Sequence, residues 1–254
     1  MAHVFTTTAS MGEWAIAHGS EACAGLAAAS GCTGVELRRE LFGGKLPDLT
    51  LLRSSFAEKS LLCVYSAPVE LWTAAGELNK EELGGIIAEA LSAGSMLVKT
   101  SLGHYRRKPG QLDRLKRYLE ERIPAGNPLR LTVENDQTVH GGNLGSLLEF
   151  FGDCREAGLP IGLTFDAGNW LYTGVDSLEA AKVLAEHVVY IHLKHVDIVQ
   201  GKPVTLPLPA EAGSLWRQVL RLLPADAPRT IEFPVAGEDL GDELRKYAEM
   251  IAGA

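Results

Sequence analysis

The sequence has few of the features that mark secreted or membrane-spanning proteins. Only four of its 254 residues are cysteines, and none forms a CxxC pair, which argues against a disulfide framework or a zinc knuckle. No run of about 18 apolar residues occurs, and no basic region followed by a long apolar run opens the chain. We therefore expect a cytoplasmic protein with no membrane partner. The four cysteines, expected to be buried free thiols, are Cys23, Cys32, Cys63 and Cys154.

Positive charge is also scarce. The chain contains 24 lysines and arginines against 32 aspartates and glutamates, a formal net charge of −8. Proteins that coat phosphate backbones depend on clustered lysine and arginine, so nucleic acid is not an expected partner.

The first predicted strand is not followed by a glycine-rich phosphate-binding fingerprint, which disfavours a doubly wound open sheet, the alternative fold. The chain contains instead eight apolar runs that alternate with eight helical stretches, at a spacing of roughly thirty residues and without a linker between them. The apolar content of 46% suffices for a large core. This organisation predicts a single α/β domain over residues 1–254, a (β/α)8 TIM barrel.

Local patterns place the individual elements. Val35–Arg38 alternates apolar and charged residues with a period of two, and Leu61–Ser66 is a continuous apolar run of the kind found in covered parallel strands, ending before Pro68. A proline-rich loop is expected from the seventh strand to Pro209. The predicted strands are His3–Thr6, Val35–Arg38, Leu61–Ser66, Met96–Thr100, Leu129–Glu134, Ile161–Asp166, Val188–Lys194 and Thr230–Phe233. The predicted helices are Ser20–Ser30, Asp48–Phe56, Asn79–Leu91, Gln111–Ile123, Leu144–Ala157, Ser177–Glu186, Leu215–Leu222 and Leu240–Ile251.

Four successive strands end in side chains that can bind a metal. Arg130–Glu134, Gly162–Asp166 and Arg229–Glu232 all finish in threonine, any residue, carboxylate, and Val188–His192 finishes in an imidazole. Residues two apart in a strand share a face, so each threonine and its acid point into the barrel together. The four predicted ligands are Glu134, Asp166, His192 and Glu232.

A metal would explain why so many ionisable groups lie at one rim. Burying them costs several kcal/mol per charge unless they are paired or bind a cation. Three carboxylates and one imidazole suit one divalent ion, with Mn²⁺ or Mg²⁺ preferred and Co²⁺ or Zn²⁺ as alternatives. The competing interpretation is that each acid or histidine simply ends a strand in solvent.

Five of the predicted strands carry short motifs, which in chain order are Gly34-Val-Glu-Leu37, Val133-Glu-Asn135, Asp166-Ala-Gly-Asn169, Ile191-His-Leu-Lys194 and Ile231-Glu232. In their order and spacing these motifs resemble the sugar phosphate isomerase/epimerase superfamily, whose members have the xylose isomerase-like barrel. The similarity extends over essentially the whole chain and implies that the four predicted ligands hold one cation. It also implies that Glu134 and Glu232 serve as catalytic acid and base.

The resemblance implies an isomerase or epimerase of a small sugar, sugar phosphate or related keto-polyol. Proton abstraction would give a metal-stabilised enediolate, with the two carboxylates serving opposite faces. The partner is then a small carbohydrate, and a homodimer is a further expectation. Further inward or loop positions are predicted to bind substrate, although each also has a purely structural explanation; they are Glu36, Arg38, Lys99, Gln137, Asn169 and Lys194.

Departures from the family pattern leave the reaction open. Asn169 stands where some of these epimerases have histidine, His195 stands where an aspartate often follows the His-x-Lys motif, and the segment Leu206–Gly213 lacks the usual Gly-x-Gly stretch. A dehydratase of a sugar-like or cyclitol ketone is the main alternative. A non-catalytic metabolite-binding barrel and an abasic-site endonuclease are weaker ones, the last because the chain is acidic and has few histidines.

Overall fold

A computed structural model, which describes residues 3–254, places eight parallel strands in a closed barrel, as predicted. The barrel strands are β1 (Val4–Thr7), β2 (Gly34–Arg38), β3 (Leu62–Trp72), β4 (Leu97–Gly103), β5 (Arg130–Glu134), β6 (Gly162–Asp166), β7 (Val188–Leu193) and β10 (Arg229–Ile231). Their order around the barrel is β1, β10, β7, β6, β5, β4, β3, β2, so the first and last barrel strands are neighbours and close the sheet. Two further strands, β8 (His195–Val199) and β9 (Lys202–Leu206), pair with each other outside the barrel.

Helices follow the strands along the chain. Side-chain caps begin several of them: the carboxylate of Asp48 accepts from the first turn of α2, and Asp176 does the same for α7. Within α1, Gly19 has φ of 79° and interrupts the helical backbone. The helices are α1 (Gly12–Ala29), α2 (Leu49–Glu58), α3 (Lys80–Ser92), α4 (Gln111–Arg122), α5 (Leu144–Glu156), α6 (Trp170–Thr173), α7 (Ser177–Leu184), α8 (Leu215–Leu220) and α9 (Leu240–Ala252).

The barrel interior is filled by side chains, so the site lies at one end of a packed core. Phe5, Val64, Leu97 and Tyr190 form a fully buried cluster separate from the larger core between strands and helices. The aromatic rings of Phe5 and Tyr190 meet edge to face with centroids 5.6 Å apart. This cluster fills part of the barrel interior with apolar and aromatic side chains.

The third strand is longer than predicted. β3 continues through Pro68 to Trp72, because Pro68 lies beyond the last residue paired with β2 and inside an interruption of the pairing with β4 between Ser66 and Glu70. A proline at such an irregularity removes no ladder hydrogen bond. The extension carries Glu70 above the barrel rim.

The predicted proline-rich loop after the seventh strand is also partly wrong. β8 and β9 form an antiparallel hairpin, joined by Gln200 and Gly201 with φ of 51° and 77°. Two successive positive φ values are the geometry of a tight two-residue hairpin turn. Pro203 is accommodated because this small sheet has only two strands, each with a free edge.

The four cysteines are buried and unpaired, as expected. Among the helices of residues 3–254, none combines the length and hydropathy that a membrane span requires.

Candidate metal centre and active site

The four predicted ligands converge at the carboxyl ends of neighbouring strands. One ligand atom from each of Glu134, Asp166, His192 and Glu232 lies within 4.8 Å of the others. Glu232 follows β10 directly, and its backbone N–H continues the ladder by donating to the carbonyl of Leu193 at 3.1 Å. The barrel therefore brings together residues that are up to 98 positions apart, counted from Glu134 to Glu232.

His192 is held by a carboxylate on its far side. Its Nε2 lies 2.6 Å from Oε2 of Glu36, and both side chains are fully buried. Its Nδ1 faces the ligand oxygens, at 2.8 Å from Glu134 Oε1 and 3.0 Å from Glu232 Oε2, yet it has no partner in hydrogen-bond geometry. Burial opposes the charged form of His192, but Glu232, Glu36 and Glu134 raise the pKa of the imidazole well above its usual value, so Nδ1 carries a proton when no cation is bound. A cation would displace that proton, and Glu36, by accepting from Nε2, would leave the Nδ1 lone pair directed into the site.

The two carboxylate oxygens of Asp166 have different surroundings. Oδ1 accepts from the backbone N–H groups of Gly168 and Asn169 at 2.8 and 2.9 Å. The Asn135 side chain fixes the Asp166 backbone, accepting from its N–H at 2.8 Å and donating to its carbonyl at 3.0 Å. Oδ2 is buried without a partner in hydrogen-bond geometry and points to the other ligands.

Three cationic side chains lie among these acids. Lys99 forms an ion pair with Glu134, and the Nζ atom of Lys194 lies 2.6 Å from Asp166 Oδ2 and 3.0 Å from Glu232 Oε2. Arg38 donates from Nη1 to Oε1 of Glu232 at 2.8 Å. These ion pairs already offset part of the cost of burying the acids, so a metal is not the only compensation, contrary to the expectation from the sequence.

The local field keeps two of the acids ionised and opposes ionisation of the third. Burial disfavours the charged form of Glu134, but Lys99 and His192 lower its pKa to about 2. Burial acts the same way on Glu232, and His192 and Lys194 lower the pKa of that carboxyl well below its usual value. Burial, together with the charges of Glu232 and Glu134, raises the pKa of Asp166 to about 8, although Lys194 acts in the opposite direction.

The four ligands differ in exposure. The side chains of Asp166 and His192 are fully buried, whereas those of Glu134 and Glu232 are each 12% exposed. The two residues predicted to act as acid and base are therefore the ones on the open side of the cluster.

The donor set fits one divalent cation. Asp166 Oδ2 and His192 Nδ1 are buried and have no partner in hydrogen-bond geometry, and their close contacts are the ionic ones to Lys194 and to the two glutamates, which a cation could replace. The imidazole also has the supporting carboxylate that histidine ligands of metals usually have. Glu134, Asp166, His192 and Glu232 can hold the ion.

The residues predicted to bind substrate occupy different surroundings. Arg38, Lys99 and Lys194 contact the acids of the centre. Glu36 is fully buried behind His192, and Asn169 is 4% exposed, with its amide donating to the Asn135 carbonyl at 2.9 Å. Their binding of substrate stays a prediction.

Gln137 lies in the loop after β5, where its Nε2 donates to Asn169 Oδ1 at 3.2 Å. Sequence reasoning missed the Glu36–His192 hydrogen bond and the Arg38–Glu232 ion pair. The alternation in β2 placed Glu36 and Arg38 on one face, which was the available signal, but nothing in the sequence gave their partners.

No protein-family model and no curated protein sequence matches the chain. Solved structures do. A xylose isomerase domain containing protein from Salmonella typhimurium is 15% identical with a TM-score of 0.71, covering 99% of this chain and 96% of that one. D-allulose 3-epimerase from a Methylomonas species, in complex with D-allulose, is 14% identical with a TM-score of 0.68, covering 99% and 96%.

A probable 3-DHS dehydratase from Bacillus anthracis is 15% identical with a TM-score of 0.65 and covers 99% of both chains. The predicted resemblance is thus confirmed for the fold, and the chain has the fold of the xylose isomerase-like TIM barrels.

Proposed function

We propose that the protein is a divalent-metal-dependent isomerase or epimerase of a small sugar, sugar phosphate or related keto-polyol. The observation that carries the proposal is the pair of partly exposed carboxylates, Glu134 and Glu232, on either side of a buried Asp166–His192 pair. Such a pair can remove a proton from one face of a carbon and return it at another face or position.

The two carboxylates lie at the ends of strands that are not neighbours in the barrel. β5 and β10 are separated by β6 and β7, so Glu134 and Glu232 approach the centre from different sides. Their oxygens lie 2.8 and 3.0 Å from the same atom, His192 Nδ1, so both carboxylates reach the same point of the centre. A planar intermediate bound between the two carboxylates would have one of them near each face.

The neighbouring cations prepare the acids for this role. Lys99 and Lys194 keep Glu134 and Glu232 ionised, so either carboxylate can accept a proton at neutral pH. Lys194 and Arg38 both reach Glu232, and they can also neutralise charge that develops on a substrate oxygen. A bound divalent cation would supply Lewis-acid polarisation of a substrate carbonyl.

The fold neighbours support a carbohydrate substrate. Several carry epimerase names, among them the D-allulose 3-epimerase that contains D-allulose. A dehydratase acting on a sugar-like or cyclitol ketone is the second candidate, favoured by the probable 3-DHS dehydratase whose length the chain matches almost completely. Proton abstraction next to a carbonyl begins both reactions, so the same residues would act in each.

Isotope exchange tests the proposal and separates the two reactions. The protein is incubated with Mn²⁺ and a panel of ketoses, ketose phosphates and keto-cyclitols in D₂O, and the products are analysed by NMR and mass spectrometry. The proposal predicts an epimer or isomer carrying carbon-bound deuterium. An enone formed with loss of water would identify the dehydratase instead, and metal-loaded protein that exchanges no carbon-bound hydrogen with any member of the panel would contradict catalysis of this class.

Two amide variants test the named acids. Glu134→Gln and Glu232→Gln are each expected to lower turnover by about 10²–10⁴-fold, the usual contribution of a positioned acid or base. Glu243→Gln, at an exposed ion pair with Lys246 on α9, is the matched control and should retain full turnover. Full turnover in both site variants, at normal melting temperature, would remove these carboxylates from the mechanism.

A further inference from the structure

A second group of metal-binding side chains lies at the rim, outside the four-residue centre. Glu70, His104 and His140, here called the rim triad, bring one ligand atom each to within 4.8 Å of one another. They come from the extension of β3, the residue after β4 and the loop after β5. These three segments are adjacent around the barrel. The fold therefore brings together three residues that are far apart in the sequence.

Both imidazoles of the rim triad face the same carboxylate. His140 Nε2 lies 2.9 Å from Glu70 Oε1, and His104 Nε2 lies 3.9 Å from Glu70 Oε2. The two rings are stacked, with centroids 3.8 Å apart and planes 18° from parallel. Two imidazolium rings at this separation would repel each other, and one carboxylate can balance only one of them. A single divalent cation would satisfy both rings in their neutral form.

The backbone holds Glu70 and His104 in place. Beyond the pairing interruption in β3, Glu70 pairs with Ser101 and Trp72 pairs with Gly103. The N–H of His104 then donates to the Trp72 carbonyl at 2.9 Å. Gly103 has φ of 69°, and a Cβ there would lie 2.2 Å from the Trp72 oxygen, so only glycine allows the two strands to approach this closely.

A compact turn presents His140. Asp136 accepts from the N–H of Thr138 at 2.7 Å, and the Thr138 hydroxyl accepts from the N–H of Gly141 at 2.9 Å. The N–H of Gly142 donates to the Thr138 carbonyl at 2.9 Å. His140 is therefore held by its own loop, independently of its contact with Glu70.

The rim triad has the composition and access of a transition-metal site. Two imidazole nitrogens and one carboxylate oxygen are donors that borderline divalent ions prefer. The side chains are 29%, 30% and 37% exposed for His104, His140 and Glu70, so ions can enter and water can complete the coordination. We propose that Glu70, His104 and His140 form a second metal site that binds a borderline divalent cation such as Zn²⁺ or Co²⁺.

Metal stoichiometry tests this proposal independently of the proposed function. Apoprotein prepared with a chelator is dialysed against Zn²⁺, and bound metal is measured by mass spectrometry. We expect two equivalents for the wild type, one for His104→Ala/His140→Ala, and one for Asp166→Ala, which disables only the first centre. His18→Ala is the control, because His18 lies outside both groups on α1, and it should retain two equivalents.

Co²⁺ gives a second readout. The visible absorption of the Asp166→Ala protein loaded with Co²⁺ reports only the rim triad, and adding Glu70→Gln or His140→Ala is expected to weaken Co²⁺ binding at least about tenfold, as loss of one of three ligands should. A zinc-edge anomalous peak at the triad in wild-type crystals is the corresponding structural result. One equivalent of Zn²⁺ in the wild type that depends only on Asp166, or two equivalents that survive removal of both rim histidines, would overturn the proposal. If the first centre failed to bind metal, Asp166→Ala would leave the stoichiometry unchanged. Failure of the first centre can therefore be distinguished from failure of the rim triad.

Discussion

At the scale of single residues, Glu36 explains how His192 can act as a ligand. A histidine free to rotate would present either nitrogen, but the fully buried Glu36 carboxylate engages Nε2 at 2.6 Å and directs Nδ1 towards Glu134 and Glu232. Oriented ligands bind metals more tightly than mobile ones, because less conformational freedom is lost on binding.

Glu36→Gln is therefore expected to weaken Mn²⁺ binding by about 10–100-fold, the usual effect of losing such a supporting group. The measurement is a calorimetric titration of apoprotein with Mn²⁺. Glu40→Gln is the matched control, since Glu40 is a partly exposed partner of Arg38 and does not touch His192. Equal Mn²⁺ affinities in Glu36→Gln and Glu40→Gln would show that Glu36 does not position the ligand.

Lys99 permits a second test at this scale. Its side chain is 4% exposed and pairs with Glu134, which is 12% exposed, so Lys99→Met removes the lysine partner of a largely buried carboxylate. Breaking a buried pair from one side costs about 3–5 kcal/mol, whereas an exposed pair contributes at most about 1 kcal/mol. Urea denaturation of metal-free protein should show the larger loss for Lys99→Met and the smaller for Lys108→Met, which breaks the more exposed pair with Glu77. Equal losses would contradict the assignment.

At the scale of elements, the sequence predicted the barrel strands well because each is a short apolar run with a clear start. The prediction failed where strand pairing continued past a proline that locally indicated the end of a strand or a loop. Pro68 indicated the end of the third strand, yet β3 continues because that proline lies in a pairing interruption. In the same way, Pro203 concealed the β8–β9 hairpin, whose two-residue turn at Gln200 and Gly201 needs no typical Asn-Gly sequence.

The upper part of β3 and β4 can be tested through Gly103. Gly103→Ala places a Cβ on a residue with positive φ and brings it into a clash with the Trp72 carbonyl. Gly126→Ala also places a Cβ on a residue with positive φ, of 80°, but nothing lies within 4 Å of that Cβ. The positive φ alone costs about 1 kcal/mol in either variant, and a steric conflict in packed backbone adds at least about 1–3 kcal/mol. Chemical denaturation should therefore rank Gly103→Ala as clearly less stable than Gly126→Ala. Equal stability would mean that the two strands can separate at this point without loss.

At the scale of the whole molecule, closure of the barrel builds the site. The convergence of Glu134, Asp166, His192 and Glu232 was predictable because parallel strands deliver their last residues to the same rim. Arg38 and Glu232 were not, since 194 positions separate them and they meet only because β1 joins β2 to β10. The rim triad escaped prediction for a related reason, as it depends on how far β3 extends.

Binding at the first centre should stabilise the whole barrel. At a free Mn²⁺ concentration of 100 times Kd, linkage gives about 2.7 kcal/mol, which corresponds to a rise of roughly 5–10 °C in Tm for a protein of this size. Differential scanning fluorimetry measures the shift. Asp166→Ala should lose it, because a fully buried ligand is removed. An equal rise in Tm for Asp166→Ala would place the stabilising ion elsewhere.

Anomalous diffraction can show directly whether Glu134, Asp166, His192 and Glu232 hold a divalent cation. Crystals grown with Mn²⁺ are measured on both sides of the manganese edge. We expect an anomalous peak between the four side chains, in contact with Asp166 Oδ2 and His192 Nδ1, which belong to the two fully buried side chains of the group. Well-ordered density for the four side chains with no such peak at saturating Mn²⁺ would contradict it.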